Sequence, residues 1–379
     1  MILPKKKKVT REEAVIKEKK KKSGFMKSIY PYITVSEAFD DNIYEYDLDK
    51  QFDFITTVDV GLVYDHTSAK KGDNKGVRIK GGAKMIGYAI KGEYNQASPI
   101  VKISANEWPA RGIEGYFDLE KLQEAGRNIS TQAIDTIVDY WRNAYGVSLS
   151  PGRENWNKDS IYWDLDYSHS QTYYKVESFN YRFDGISADL YFKMPRRKKL
   201  LIGYDCQYTE YPKRFKSGQV YNAFWAGFIG EIFRDINGLV RFGYGLWNPE
   251  EGRNAMGFTA NINLNYQMSK TLLWTLTASK INEESTNVDG GRSDVSTAGL
   301  GFFKKLSPRQ SLNAGFSYQY FDYASDRKDK TINGNIAMTY DLRKWLKLIC
   351  GYKVTWNSSN EIIYKYHENV AEVKLTTEF

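Results

Sequence analysis

From Leu200 to the end of the chain, apolar and polar side chains alternate residue by residue over long runs. Leu200, Ile202, Tyr204, Cys206 and Tyr208 oppose Gly203, Asp205 and Gln207. Met256, Phe258, Ala260, Ile262, Leu264 and Tyr266 oppose Thr259, Asn261, Asn263 and Asn265, and Leu346, Leu348, Cys350, Tyr352, Val354 and Trp356 oppose Lys347 and Lys353. In the last run Ala371, Val373, Leu375, Thr377 and Phe379 alternate with Glu372, Lys374, Thr376 and Glu378. Successive side chains of a strand point to opposite faces, so each run predicts a strand with one apolar and one wet face.

The breaks between these runs are of two kinds. Short polar turns stand at Pro195-Arg196-Arg197-Lys198, Arg234 to Gly238, Gln267 to Lys270, Ser307 to Gln310 and Asp341 to Lys344. Longer polar segments lie between them, around Glu210 to Gly218, Asn248 to Asn254, Ile281 to Asp294, Asp322 to Lys330 and Asn357 to Glu368. A closed antiparallel barrel crossing a membrane predicts this alternation, with short turns on one side and longer loops on the other. Further strands are expected at Ser28 to Ala38, Gln51 to Tyr64, Val77 to Lys91, Ser98 to Asn106, Ser160 to Phe179 and Gly185 to Lys193. The expected fold is therefore all-β, a transmembrane antiparallel β-barrel of about sixteen strands, in a range of about fourteen to eighteen, the even total leaving both barrel ends on one side. A soluble antiparallel sheet would share the polar face, but runs of roughly nine to thirteen residues with Tyr or Trp near several ends fit a tilted crossing with an interfacial girdle. No window approaches the ~18 apolar residues of a spanning helix.

One stretch departs from the strand pattern. Ile134, Ile137, Val138, Trp141 and Tyr145 follow a helical stripe, and Phe117, Leu119 and Leu122 suit a shorter preceding helix. A small helical insertion, about residues 107–157, is expected on the periplasmic side between the fourth and fifth strands, where it could pack on the rim, plug the lumen or dock a partner.

Composition sharpens the membrane reading. Only 41% of the chain is hydrophobic, yet 15% is aromatic, with 29 Tyr and 30 Gly, and mean hydropathy is −0.57. That balance is poor for a two-sided core and good for strands with one apolar face. The net charge of +8 is not spread: Met1 to Lys22 holds ten Lys/Arg and three Glu. Residues 1–27 thus read as a basic N-terminal arm and residues 28–379 as the barrel, insertion included. No nucleic-acid partner is expected, because the arm lacks interleaved aromatics. No apolar h-region follows the lysines, so the expectation is that the chain has lost or never included its export signal.

Little in the sequence points to chemistry. His66, His169 and His367 have no neighbours at metal-ligand spacing, and Cys206 and Cys350 fall on apolar faces of separate strands. Asp159, Asp164 and Asp166, with His169 nearby, form the one acidic cluster worth testing as an ion site. Ser168 and Ser170 flank His169 but point away from it on a strand, which argues against a hydrolase. No catalytic residue, cofactor or metal is expected.

Pro31 to Tyr44, with its Ser36-Glu37 pair and Asp40-Asp41-Asn42 turn, and the strand from Phe52 to Tyr64 resemble the opening of the outer-membrane β-barrel porin family. Pro195-Arg196, Ser307-Pro308-Arg309, Asp341-Leu342-Arg343 and terminal Phe379 are similar to that family as well. The resemblance spans roughly Ser28 to Phe379 and implies location in the bacterial outer membrane as a multi-pass barrel. It further implies contact with outer-membrane lipid and lipopolysaccharide, recognition of Phe379 by the barrel-assembly machinery, and export or uptake of polysaccharide or small solutes. The arm and the helical segment depart from the family's plain barrels and suggest periplasmic or envelope protein partners.

The leading expectation is a channel passing small hydrophilic solutes by diffusion, with Arg241, Asn261, Asn263, Asn265, Asn333, Asn335, Lys347 and Lys353 as lumen-lining residues. The alternative is a structural or docking barrel in a multi-protein envelope or polysaccharide-export assembly.

Overall fold

The computed structural model describes residues 29–45, 50–67, 76–106, 112–125, 137–150, 161–174, 180–195, 197–211, 218–249, 255–284, 292–323 and 326–378. The first nine strands are β1 (Ile29–Asp40), β2 (Asp53–Thr67), β3 (Gly76–Tyr88), β4 (Gln96–Asn106), β5 (Ile113–Ala125), β6 (Ile137–Leu149), β7 (Ile161–Tyr174), β8 (Tyr181–Lys193) and β9 (Lys198–Glu210). The second nine are β10 (Gln219–Phe233), β11 (Ile236–Pro249), β12 (Ala255–Ser269), β13 (Leu272–Glu284), β14 (Arg292–Ser307), β15 (Gln310–Tyr323), β16 (Lys328–Arg343), β17 (Leu346–Ser359) and β18 (Tyr366–Glu378). Each strand pairs antiparallel with its chain neighbours, and β1 pairs with β18 from Tyr32↔Glu378 to Asp40↔Val370. The sheet is closed, so each strand is laddered on both sides and none is left as a free edge toward hydrocarbon.

Two expectations are corrected. The barrel has eighteen strands rather than about sixteen, and the two added strands are β5 and β6, which occupy the stretch read as a helical insertion. Among the described residues there is no α-helix, only 3₁₀ turns at Gly92–Tyr94 and Ile362–Tyr364. The stripe misled because Ile137, Trp141 and Tyr145 are spaced by four, an even number that serves one face of a helix and one face of a strand alike. In β6 Trp141, Tyr145 and Val147 share the exposed face, and in β5 Phe117 shares it with them across the pairing Phe117↔Tyr145. Ile134 and the basic arm lie outside the described residues.

The long-and-short alternation of connections holds from β9 onward. Four two-residue turns, Arg234-Asp235, Lys270-Thr271, Pro308-Arg309 and Lys344-Trp345, join β10–β11, β12–β13, β14–β15 and β16–β17. Beside each turn the register slips by one residue, at Glu231/Phe233, Gln267/Ser269, Lys305/Ser307 and Asp341/Arg343. Asp235 sits at φ 62°, a left-handed conformation that a short polar side chain tolerates. This bulged turn repeats four times at one end of the barrel, so it fixes the register of eight strands there.

The outer face carries the exposed apolar side chains: Phe224, Phe242, Phe258, Leu300, Phe316 and Ile336 across the middle strands. Trp163, Phe233, Met268 and Trp345 ring the short-turn end, and Phe52, Tyr173 and Trp356 the loop end. Aromatic rings at both rims and an apolar belt of Phe, Leu and Ile between them are the surface a bilayer solvates.

Candidate functional site

The inner face is built from the other residue of each alternating pair, and the barrel's closure brings distant parts of the chain onto it. On β11 and β12 the register pairs Arg241 with Asn261, Leu239 with Asn263 and Asn237 with Asn265. On β16 and β17 it pairs Asn335 with Lys353, Asn333 with Thr355 and Asp341 with Lys347. All eight residues named from the sequence therefore stand on the face opposite the exposed apolar side chains. They form two groups, and the strands between join them. One rung runs Asn263, Thr277, Gly299, Ser317, Asn333 and Thr355 across β12 to β17. The adjacent rung runs Asn261, Ser279, Thr297, Gln319, Thr331 and Asn357.

This sector is a field of amides and hydroxyls with local bonds only. Asn265 Nδ2 donates to Asn263 Oδ1 at 3.4 Å, Thr275 Oγ1 to Asn265 Oδ1 at 3.0 Å, and Thr331 Oγ1 to Asn357 Oδ1 at 2.6 Å. Each neutral amide retains both donor and acceptor capacity, so the surface can exchange hydrogen bonds with water or hydroxylated solutes without a fixed charge preference.

The opposite sector is ionic. Lys80 Nζ lies 2.8 Å from Asp59 Oδ2 and 4.0 Å from the centroid of the Tyr32 ring, while Tyr32 Oη donates to Asp59 Oδ1 at 2.8 Å. Glu120 takes Arg142 Nη2 at 2.5 Å and Lys102 Nζ at 3.2 Å. Sequence reasoning missed these groups because each partner sits on a different strand; only the inner-face parity of Lys80, Lys102, Glu120 and Arg142 could have flagged them.

Between the two sectors β7 to β11 form an aromatic and acidic wall. Tyr162 and Tyr191 stack in parallel with centroids 4.4 Å apart, packed with Leu201, Ile229 and Leu239. Lys199 Nζ lies 4.2 Å from the Tyr162 centroid. Arg241 lies over Trp225 at 4.3 Å, and Trp225 Nε1 donates to Asp205 Oδ2 at 2.5 Å. Trp225 thus fixes the guanidinium on one side and a carboxylate on the other.

The acidic cluster named from the sequence divides. Asp164 and Asp166 share the inner face with Asp189 and Ser187, their partners on β8. His169 has the opposite parity and stands on the outer face, its Nδ1 2.7 Å from Asp184 Oδ1 and its ring 4.7 Å from Tyr145. Arg182 Nε and Tyr167 Oη donate to the same carboxylate, each at 2.8 Å. His169 therefore shares no face with Asp164 and Asp166, and Asp159 lies outside the described residues. Among the described residues no group of three or more His, Cys, Asp or Glu side chains is placed to hold a metal ion. Cys206 and Cys350 are free thiols.

At the loop end, two clusters pin loops to the wall. Arg327 is sandwiched between Tyr364 at 3.4 Å and Tyr323 at 4.2 Å to the ring centroids, with Nε bonded to Asp329 Oδ2 at 2.9 Å. Burial works to lower the pKa of Arg327, but the Asp329 carboxylate outweighs it and holds the guanidinium above its ordinary value. Across the β1–β18 seam, Asp41 accepts from the Asn369 backbone at 2.6 Å and from Asn369 Nδ2 at 2.7 Å, and Asn42 Nδ2 donates to the His367 carbonyl at 2.9 Å.

Eighteen closed strands, an apolar belt between aromatic rims and a wet inner face leave one solvent that fits the outer surface, a lipid bilayer. Residues 204–379 match the family described as "Putative beta-barrel porin 2". The chain's fold is that of a porin-type outer-membrane β-barrel. Solved structures share its architecture at low identity. Pseudomonas aeruginosa OccK9 (OpdG) is 8% identical with a TM-score of 0.54, covering 94% of this chain and 100% of that one. P. aeruginosa OccK2 (OpdF) in complex with glucuronate is 9% identical, covers 94% and 100%, and gives 0.53. P. aeruginosa OpdK with vanillate is 7% identical, covers 94% and 100%, and gives 0.51. No curated protein matches the chain. At these identities the likeness is one of fold. Short turns then face the periplasm and the longer loops the exterior.

Proposed function

We propose that this barrel is a diffusion channel for small hydrophilic solutes across the outer membrane. The observation that carries the reading is the pair of amide and hydroxyl rungs that cross six adjacent strands on the inner face of a closed barrel. In this reading Asn261, Asn263, Asn265, Asn333 and Asn335 hydrogen-bond passing solutes, while Arg241, Lys347 and Lys353 set the charge preference along the path. Porin-fold proteins solved with glucuronate and with vanillate support a solute path inside this architecture.

The test is ion conductance of the full chain in planar bilayers. Stable conductance is expected, and replacing Lys347 and Lys353 with Glu moves the zero-current potential in a salt gradient toward cation preference. A folded barrel that never conducts overturns the reading.

The partners belong to the same proposal. Lipid and lipopolysaccharide wet the outer face, the assembly machinery recognises Phe379, and the basic arm of residues 1–27 contacts an envelope protein. Removing Phe379 is then expected to lower the assembled fraction in cells, and removing residues 1–27 to abolish crosslinks to envelope proteins while conductance persists.

A further inference from the structure

Two lysines on the lipid-facing side of the barrel stand at one height. Lys280 on β13, Ser296 on β14, Tyr320 on β15 and Lys330 on β16 form a single rung of paired residues. Lys280, Ser296 and Tyr320 each stand four residues from an exposed apolar side chain of the same strand, Leu276, Leu300 and Phe316, and Lys330 stands two from Ile332, so all four share the outer face. The rung beneath is Ala278, Ala298, Tyr318, Ile332 and Trp356. Trp356, 61% exposed, belongs to the loop-end aromatic ring, so Lys280 and Lys330 stand one step beyond it, at the height of the outer-leaflet headgroups. On the same face Lys121, Arg182 and Lys328 each have a carboxylate beside them, Asp139 at 2.5 Å, Asp184 at 2.8 Å and Asp322 at 4.0 Å. Lys280 and Lys330 form no ion pair among the described residues.

We propose that this rung holds the headgroup of an outer-leaflet lipid built on a disaccharide with a phosphate at each end. It gives the lipopolysaccharide contact proposed above a particular place, and it needs the outer-membrane setting but no conductance. Two ammonium groups at the bilayer border with no carboxylate to neutralise them favour an anionic headgroup, and a lysine meets a phosphate oxygen as a strong charge-assisted donor. Lys280 and Lys330 are three strand spacings apart, about 14 Å, a span that suits a headgroup phosphorylated at both ends better than a single phosphate. The hydroxyls of Ser296 and Tyr320 stand between them and can donate to and accept from the sugar. Ala278 and Ala298, directly beneath Lys280 and Ser296, keep the wall low where acyl chains descend from the headgroup. The carboxylates of Asp294 and Asp322 stand on the next rung toward the loops, so the headgroup meets the lysines from the bilayer side.

The experiment folds the full chain in detergent and reads lipid retention by native mass spectrometry with three probes: diphosphoryl lipid A, monophosphoryl lipid A and phosphatidylglycerol. The same preparations are assayed for conductance. Diphosphoryl lipid A is expected to be retained, with monophosphoryl lipid A needing about fivefold more, the factor that one interfacial charge at ~1 kcal/mol supplies. Lys280→Gln and Lys330→Gln each weaken retention of diphosphoryl lipid A about fivefold and the double variant about 25-fold, while Lys330→Arg keeps it. Lys304→Gln, which removes an exposed outer-face charge at the short-turn end, leaves retention unchanged. The single variants carry the test if the double variant does not fold. Equal retention of phosphatidylglycerol, or retention unmoved by Lys280→Gln and Lys330→Gln, overturns the site, as does a lipid-free oligomer of the chain that these variants dissociate. A conducting barrel that fails the lipid tests overturns the site and leaves the channel reading standing. A silent barrel that retains diphosphoryl lipid A through Lys280 and Lys330 supports the site and overturns the channel reading.

Discussion

At the scale of single residues, the inner wall repeats one device: a tyrosine laid over a glycine on another strand. Tyr32 lies over Gly82, Tyr116 over Gly146 and Tyr221 over Gly245, each so close that a Cβ on the glycine would meet the phenol ring or its oxygen. The glycine gives up side-chain packing and the ring covers the exposed backbone in return. Tyr32 shows what this positions, since its hydroxyl and its ring face hold Asp59 and Lys80 together. Glu120 is another residue on which local order depends, because it bridges the Lys102 and Arg142 charges, with Asp118 Oδ2 3.7 Å from Lys102 Nζ beside it. Glu120→Gln is expected to lower unfolding stability by about 1–2 kcal/mol, the modest figure reflecting two cations that remain substantially open to water. A smaller urea midpoint by tryptophan fluorescence in detergent checks this; an unchanged midpoint refutes it.

At the scale of elements, β5 and β6 decide how the middle of the chain is read. A spacing of four fits both periods, so Ile137, Trp141 and Tyr145 satisfied the helix pattern without contradicting a strand. Val138 and Leu122, which break the two-residue alternation, tipped the reading toward helix. The pairing of β5 with β4 and of β6 with β7 settles the matter, since an isolated hairpin is marginal but a hairpin between two existing strands gains two ladders. Trp141→Arg then places a charge against lipid and is expected to cost about 1–3 kcal/mol, depending on depth. Ala144→Ser, on the inner face of the same strand, is expected to be neutral. Comparing the heat-modifiable gel mobility of the two variants tests the assignment: equal tolerance at both positions contradicts it.

At the scale of the whole molecule, the seam between the first and last strands is where closure must be secured. The Asp40-Asp41-Asn42 turn, read from the sequence only as a family-like motif, supplies that fastening through Asn369 and the His367 carbonyl. Asp41→Ala removes both acceptor bonds to Asn369 and is expected to lower the temperature at which the folded band is lost on a gel, with the spectrum of the folded state unchanged. A folded band that persists to the same temperature would show that the strand pairing alone closes the barrel.

The alternation of faces is written locally in the sequence, because the period of two is a property of the extended backbone and each strand carries it independently. It therefore makes legible the class of fold, the ten strands from Leu200 onward and the short turns between them. Assembly of the barrel fixed the strand count of eighteen and the fate of the β5–β6 segment. It also decided which charges meet: Lys80 with Asp59, Glu120 with Lys102 and Arg142, Arg241 with Trp225. The physical reason is register. Parity says which face a side chain takes, but its neighbours across the sheet depend on how far each strand slides before pairing, and that is fixed only when the whole barrel closes.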